Sequence, residues 1–350
     1  VSSHFQAVNW NRQKYIYDAL ALGGVLLFIT LFAATALLRE PDITLETVLI
    51  RGLGLSAIVL LHLILCIGPL CRLDPRFLPL LYNRRHLGVL LCLLALGHAS
   101  FAVFQFHALG DQPALVSLLT GTGDVRDLGR FPFELLGLGA LLILWTMAVT
   151  SHDFWLALLS ARVWKGLHML VYLAYVLLLG HLALGALQDD HTGALTALLA
   201  AGAALVFGLH LAAGWRERPG DRRPADDSSE WVDVGSVDDC VEGRARTAIV
   251  GPERVAVVRH AGGISCVSNV CRHQGGPLGE GRIVDGCLTC PWHGYQYLPE
   301  SGSSPPPFTE KIPTYRVRVV GGRIQAHRTP NPPGTHVPPA SVSGPRGTAA

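Results

Sequence analysis

Cys271 and His273 recur, after sixteen intervening residues, as Cys290 and His293. Thiolate sulfur and imidazole nitrogen are the ligands that zinc and iron–sulfur clusters select. Two short loops, each offering one Cys and one His, suit a binuclear cluster in which two thiolates hold one iron and two imidazoles the other. A single zinc ion is the competing occupant of such a quartet. Glycine follows each pair, Gly275 and Gly276 after the first and Gly294 after the second, which lets loop backbone pack closely. A second set of chemistry-bearing residues sits in apolar sequence: His62, His98, His107, His168, His181 and His210. Ionisable groups inside apolar spans are costly and usually functional, and imidazole pairs hold haem iron. A neutral histidine hydrogen-bonded within a helix bundle is the plain alternative for each. It is the reading taken for His107 and His210, near span ends, whereas His86 and His152 read as solvated.

The elements that must position these residues divide the chain in two. Half of the 350 residues are apolar and 15% are charged, with a mean hydropathy of +0.36, which places the chain in a membrane class. A net charge of only +2 gives no reason to expect nucleic acid. A span needs about 20 apolar residues, and six segments qualify: 16–38, 52–70, 87–109, 132–150, 166–187 and 194–214. The first is longer than a signal-peptide core and reads as a retained helix. The interval 110–131 has room for a small interfacial helix. Basic residues favour one set of flanks: Arg12, Lys14, Arg72, Arg76, Arg84, Arg85, Arg162, Lys165, Arg216, Arg218, Arg222 and Arg223. The opposite flanks hold Arg39, Arg51, Arg126 and Arg130. By the positive-inside rule both termini are cytoplasmic in a multi-pass protein of the cell membrane. The expected organisation is a cytoplasmic segment (1–15), a six-span bundle (16–214), a linker (215–230), a small β domain (231–328) and a disordered polar tail (329–350).

The stretch SNVCRHQGGPLGEGRIVDGCLTCPWHGYQY closely resembles Rieske ferredoxins, and the likeness runs from Trp231 to about Ala326, through the strand-like VAVVRH and YRVRVV segments. It implies a [2Fe–2S] cluster on Cys271, His273, Cys290 and His293. Rieske proteins of quinol–cytochrome c reductases carry two further cysteines bonded across the cluster loops. Here Gly276 or its neighbours and Trp292 stand at those places, so that disulfide is expected to be absent. Tyr295 replaces their cluster-bonding serine, while Tyr297 falls where their tyrosine sits. Fewer hydrogen bonds to sulfur predict a potential low in the Rieske range. Cys266 and Cys287 read as buried strand cysteines. A Rieske oxygenase is not expected, since these 350 residues leave no room for a domain to carry its mononuclear iron.

The runs RRHLGVLLCLLALGH (Arg84–His98) and WKGLHMLVYLAYVLLLGH (Trp164–His181) resemble the ferric-reductase-like transmembrane family, which includes the haem subunit of the periplasmic methionine sulfoxide reductase system. The resemblance spans about residues 15–215. It implies b-type haem in a six-helix bundle, with His98, His168 and His181 at family positions. His168 and His181 lie about 20 Å apart along one helix, the separation of two stacked haems, but thirteen residues do not return to one face, so a distortion is expected between them. Depth pairs His98 with His181 for an outer haem and His62 with His168 for an inner one. His62 rests on depth alone, and His86 or His210 fits as well. The expected fold is therefore a membrane all-α six-helix bundle followed by a small all-β Rieske domain, binding one or two haems b. No G-x-G-x-x-G opens a helix after a strand, so the flavin and nicotinamide domains of ferric reductases are replaced by the Rieske domain. The expectation is single-electron transfer from a cytoplasmic donor, a reductase or ferredoxin, to an extracytoplasmic acceptor: ferric iron, oxygen or a partner protein. Two other readings stand beside it: a quinol-linked oxidoreductase, for which Glu134 and Gln105 are the polar candidates, and a Rieske-based redox sensor. The linker, with Pro219 and Pro224, is expected to let the domain swing. Asp189, Asp190 and His191 form an outer turn, solvated or open to a cationic acceptor.

Overall fold

The computed structural model describes residues 12–81, 83–120, 131–151, 155, 159, 161–188, 192–221, 229–273, 275–292 and 294–342. The first half is helical: α1 (Arg12–Arg39), α2 (Leu45–Leu73), α3 (Leu78–Leu81), α4 (Arg84–His107), α5 (Ala114–Thr120), α6 (Glu134–Val149), α7 (Ala161–Met169), α8 (Val171–Leu184) and α9 (Ala194–Asp221). Five apolar stretches among the described residues are long enough to cross a membrane: Lys14–Arg39, Leu45–Leu73, Arg84–His107, Val163–Leu184 and Ala194–Arg216. The segment expected to be the fourth span is shorter, because α6 has only 16 residues. Pro132 stands just before its start, and at its end the Thr150 hydroxyl bonds back to the Thr146 carbonyl at 2.7 Å. Between 110 and 131, α5 supplies the expected small helix, while 121–130 lie outside the described residues.

α2 is the hub, packing on α1, α4 and α9, with α4 against α6 and α6 against α8. Leu61, Ala140 and Ala174 are fully buried. The two alanines, together with Gly139 under Leu177 and Gly180 under Leu136, let α6 and α8 approach closely, the usual device where lipid leaves no hydrophobic drive between helices. α1 shows Leu20, Leu27 and Leu38 outward, as a lipid-facing helix does. α7 and α8 are one span interrupted at Leu170, whose N–H bonds back three residues to Leu167 O at 3.1 Å. The interruption falls between His168 and His181, where a distortion is needed to reconcile their azimuths. α9 continues to Asp221, beyond the expected end of the span at 214 and past the apolar stretch that ends at Arg216.

The second half is all β. Strands β1 (Trp231–Ser236), β10 (Arg323–His327) and β9 (Val317–Val320) form one sheet. A second sheet runs β11 (Ala340–Ser341), β4 (Gly263–Ser268), β3 (Glu253–His260), β2 (Ala245–Val250), with β8 (Thr314–Tyr315) also on β4. The third, β5 (Arg282–Val284), β6 (Cys287–Thr289) and β7 (Gln296–Tyr297), adjoins the two Cys/His loops. Val255, Val257, Ile264 and Ile324 fill the core between the first two sheets. Leu278, Leu288, Tyr297 and Ile312 pack beneath the third.

The expected disordered tail is corrected for residues 329–342. Ala340 pairs with Ile264 across β11–β4. The Thr314 hydroxyl donates to Thr335 O at 2.9 Å, and Val337 N–H donates to Glu300 O at 2.7 Å. The segment is Pro-rich and polar, so it shows no hydrophobic period. Its order comes from backbone hydrogen bonds that composition does not reveal. Residues 343–350 lie outside the described residues.

Candidate functional site

The β4–β5 and β6–β7 connections are built alike. Gly275 N–H bonds Cys271 O at 2.7 Å and Cys271 N–H bonds Gly276 O at 2.9 Å. In the second loop Gly294 N–H bonds Cys290 O at 2.9 Å and Cys290 N–H bonds Tyr295 O at 2.7 Å. Both loops turn back through a left-handed glycine, Gly275 (φ 73°) and Gly294 (φ 71°), a conformation other residues rarely hold. Gly276 closes one loop onto the other, since a Cβ there would lie 2.6 Å from Cys290 Sγ. Cys271 and Cys290 are buried. His273 presents a buried Nδ1 and stacks on Tyr295 at 5.1 Å. His293 lies outside the described residues. A binuclear cluster asks only two protein ligands of each iron, which two loops with one Cys and one His each can supply. The donor set and the close-packed loops fit that group.

Two tyrosines flank the cysteines differently. Tyr297 OH lies 3.5 Å from Cys271 Sγ while accepting the Arg272 N–H at 2.9 Å, so its proton is free for the sulfur. Burial, reinforced by Cys271, raises its pKa and keeps it a donor. Tyr295 donates instead to Glu310, away from Cys271. Cys266 and Cys287 are buried strand residues.

In the bundle, His98 and His181 face each other with ring centroids 6.2 Å apart and planes at 85°. Each Nδ1 is held by a carbonyl of another segment, Ile50 O at 2.8 Å for His98 and Phe133 O at 2.9 Å for His181. That fixes the tautomer and leaves each Nε2 lone pair for a metal. A metal–imidazole bond is about 2 Å and the ring nitrogen about 1 Å from the ring centre, so an iron between two histidines sets the centroids about 6 Å apart. Gly54 and Gly137 make the cradle, because a Cβ at either would come within 2.8 Å and 2.9 Å of the imidazole near Nδ1. The pair fits a six-coordinate haem iron.

His62 and His168 have separate surroundings. His62 Nδ1 bonds Ile58 O at 2.8 Å and its ring meets Tyr175 edge-on at 5.4 Å. Its Nε2 is buried against Gly202, where a Cβ would lie 2.6 Å away. The bare glycine leaves that nitrogen buried with no hydrogen-bond partner. His168 Nδ1 bonds Trp164 O at 2.9 Å, and its Nε2 lies 3.2 Å from Ser151 Oγ. The Ser151 hydroxyl also lies 2.7 Å from Met147 O, so His168 sits in a small polar cluster at this end of the span. His210 bonds Tyr172 OH at 3.0 Å and His107 bonds Ser117 Oγ at 3.0 Å, as bundle histidines satisfied by hydrogen bonds. His86 is partly solvated and also bonded: its Nδ1 sits 2.7 Å from Asp18 Oδ2 and 3.1 Å from Asn83, a contact with α1 that local sequence does not announce. Gln105 donates to Thr47 Oγ1 at 3.2 Å. His152, Asp189, Asp190 and His191 lie outside the described residues.

Aromatic residues that the sequence reading passed over join the two halves. Trp164 is buried, donates to Thr150 O at 3.1 Å and stacks on His168 at 3.8 Å. Trp292, from the second cluster loop, meets Trp164 with centroids 6.2 Å apart. A tryptophan one helical turn before a histidine was the available signal.

The Rieske [2Fe-2S] domain family matches residues 230–316, and the ferric reductase like transmembrane component matches residues 53–179. The ferredoxin component of the alkene monooxygenase system of Xanthobacter autotrophicus is 34% identical over 107 residues, 30% of this chain and 88% of that protein. The anthranilate 1,2-dioxygenase ferredoxin subunit of Burkholderia cepacia is 29% identical over 28% of this chain and 93% of that protein. A solved ferredoxin of carbazole 1,9a-dioxygenase from Nocardioides aromaticivorans IC177 is 25% identical over 29% of this chain and all of that one, with a TM-score of 0.28. The chain is a multi-pass membrane protein for electron transfer, and it joins a ferric-reductase-like transmembrane component to a domain that belongs to the Rieske [2Fe–2S] family.

Proposed function

We propose that this protein is a transmembrane oxidoreductase that takes single electrons from a cytoplasmic reductase or ferredoxin and delivers them to an extracytoplasmic acceptor. When bound, a [2Fe–2S] cluster and b-type haem each supply reversible one-electron storage. The chain's own part is placement and insulation. Cys271, His273, Cys290 and His293 hold the cluster, with Tyr297 donating toward Cys271. His98 and His181 hold one haem between α4 and α8, and His168 serves a second toward the opposite end of the same span. His62, paired with His168 by depth, keeps a buried Nε2 with no hydrogen-bond partner and stays in the candidate ligand set. The excess of basic residues on the flanks that include Arg84, Arg85 and Lys165 supports a cytoplasmic Rieske domain.

The observation that carries the reading is the His98–His181 pair, two imidazoles held 6.2 Å apart with their Nδ1 atoms already committed to carbonyls. The test is electron traffic in proteoliposomes with the Rieske domain outward, from a reduced ferredoxin outside to ferricyanide trapped inside. Traffic that disappears in His98→Ala and His181→Ala is the expected result. Rapid reduction by a quinol analogue, with electrons leaving through the Rieske domain, would establish the reverse direction instead. A chain holding its cluster and no haem would leave a sensor.

A further inference from the structure

Trp292 lies between two cluster-motif residues, Cys290 and His293, and Trp164 lies one turn before His168. Their rings meet at a centroid separation of 6.2 Å, within the range of a genuine aromatic pair. Each is fixed from behind. Trp292 packs on Gly276, whose Cβ position lies 3.3 Å from the indole, and Trp164 is pinned by Thr150 O and stacked on His168. A second contact lies beside it: Glu280, next to the first cluster loop, is in electrostatic reach of Arg84 at the start of α4 and of Cys71 at the end of α2. Arg216 of α9 also donates to Leu73 O at this end of the bundle. The cluster face of the β domain is thus turned toward the bundle.

We infer that the Rieske domain works seated on the bundle, with Trp292 and Trp164 as the positioning residues that hold its cluster loop against the His168 end. This rests on the reading of His168 as a haem-side residue, and it replaces the expectation of a swinging domain. With a cluster held by the Cys271 and Cys290 loops and a haem held at the His168 end, the contact would place the two side by side for transfer of one electron from the first to the second. A cytoplasmic one-electron donor supplies that electron, and no bond is made or broken. Because electron tunnelling weakens steeply with distance, a fixed aromatic contact beside both sites matters more than domain mobility.

Hydrogen exchange on the full chain in nanodiscs tests the seating without any turnover. Trp292→Ala should deprotect residues 161–169, Trp164→Ala should deprotect the β6–β7 loop, and Trp292→Phe should keep both protected. Stopped-flow reduction tests the coupling: either alanine variant should slow haem reduction about ten-fold or more after the cluster is reduced, with cluster circular dichroism and haem spectra matching the parent chain. Unchanged exchange in both alanine variants overturns the seating. Deprotection with parent-rate haem reduction overturns the positioning role. A parent chain that holds no haem overturns the proposed function while leaving the exchange result to decide the seating.

Discussion

The two halves of this protein hold their imidazoles and thiols by opposite strategies. In the β domain each loop is its own scaffold: the hydrogen bonds that shape Cys271 and Cys290 come from residues four and five positions along the same chain. In the bundle His98 and His181 are anchored by carbonyls far away in sequence, Ile50 and Phe133, and shaped by glycines on neighbouring helices. A local scaffold tolerates change elsewhere in the fold. A distributed one fails when any participating helix shifts, because the packed interior relays small displacements.

The comparison breaks most visibly if the halves are not independent. Cys290→Ala should abolish the cluster's visible circular dichroism while leaving the haem spectrum intact. His181→Ala should remove the His98–His181 haem, read as a fall in pyridine haemochrome per protein, with the cluster signal unchanged. Loss of both signals in either variant would refute separate scaffolds. Gly137→Ala sharpens the contrast. Its new Cβ would press the His181 ring at 2.9 Å, an overpacking that costs about 1–3 kcal/mol and should lower haem content, with no effect on the cluster. Tyr297→Phe removes a bond to Cys271 worth about 1 kcal/mol, so the cluster's midpoint should fall by roughly 40 mV. Tyr295→Phe should barely move it, since that hydroxyl is spent on Glu310. Redox titration of the cluster distinguishes the two.

The smallest effect concerns acid. His260 is buried and bonded to Ser265 at 2.8 Å, and burial lowers its pKa from 6.5. The unfolded chain therefore binds this proton more readily than the folded one. Its contribution is complete above about pH 6.5 and is lost as pH falls toward the depressed folded value. The thermal midpoint of the cluster signal should drop less between pH 7 and pH 5 in His260→Gln than in the parent chain.

What could be read from sequence follows the same division. The cluster motif is contiguous, so residue types, spacing and glycines all show in one line of text. His98 and His181 were legible as costly histidines at matching depth, but Gly54 and Gly137 were not, because a helical glycine says nothing of what lies across the interface. His62 was placed by depth, and depth carries no information about which neighbour faces its Nε2. The network of His86 with Asp18 and the pair of Trp164 with Trp292 both cross between distant segments, which periodicity does not report. The ordered tail was missed because backbone pairing needs no particular side chains.

The 16 residues of α6 carry a consequence for the surrounding lipid. Such a helix is about 24 Å long, against a hydrocarbon core of about 30 Å. The helix beside the His98–His181 pair therefore falls short of the bilayer that the other helices match. Lipid next to it must thin or its flanks must stretch toward water, at a fraction of a kcal/mol per Å. Acyl-chain length thus becomes a variable of this protein's behaviour, with shorter-chain membranes relieving the mismatch on the α6 side.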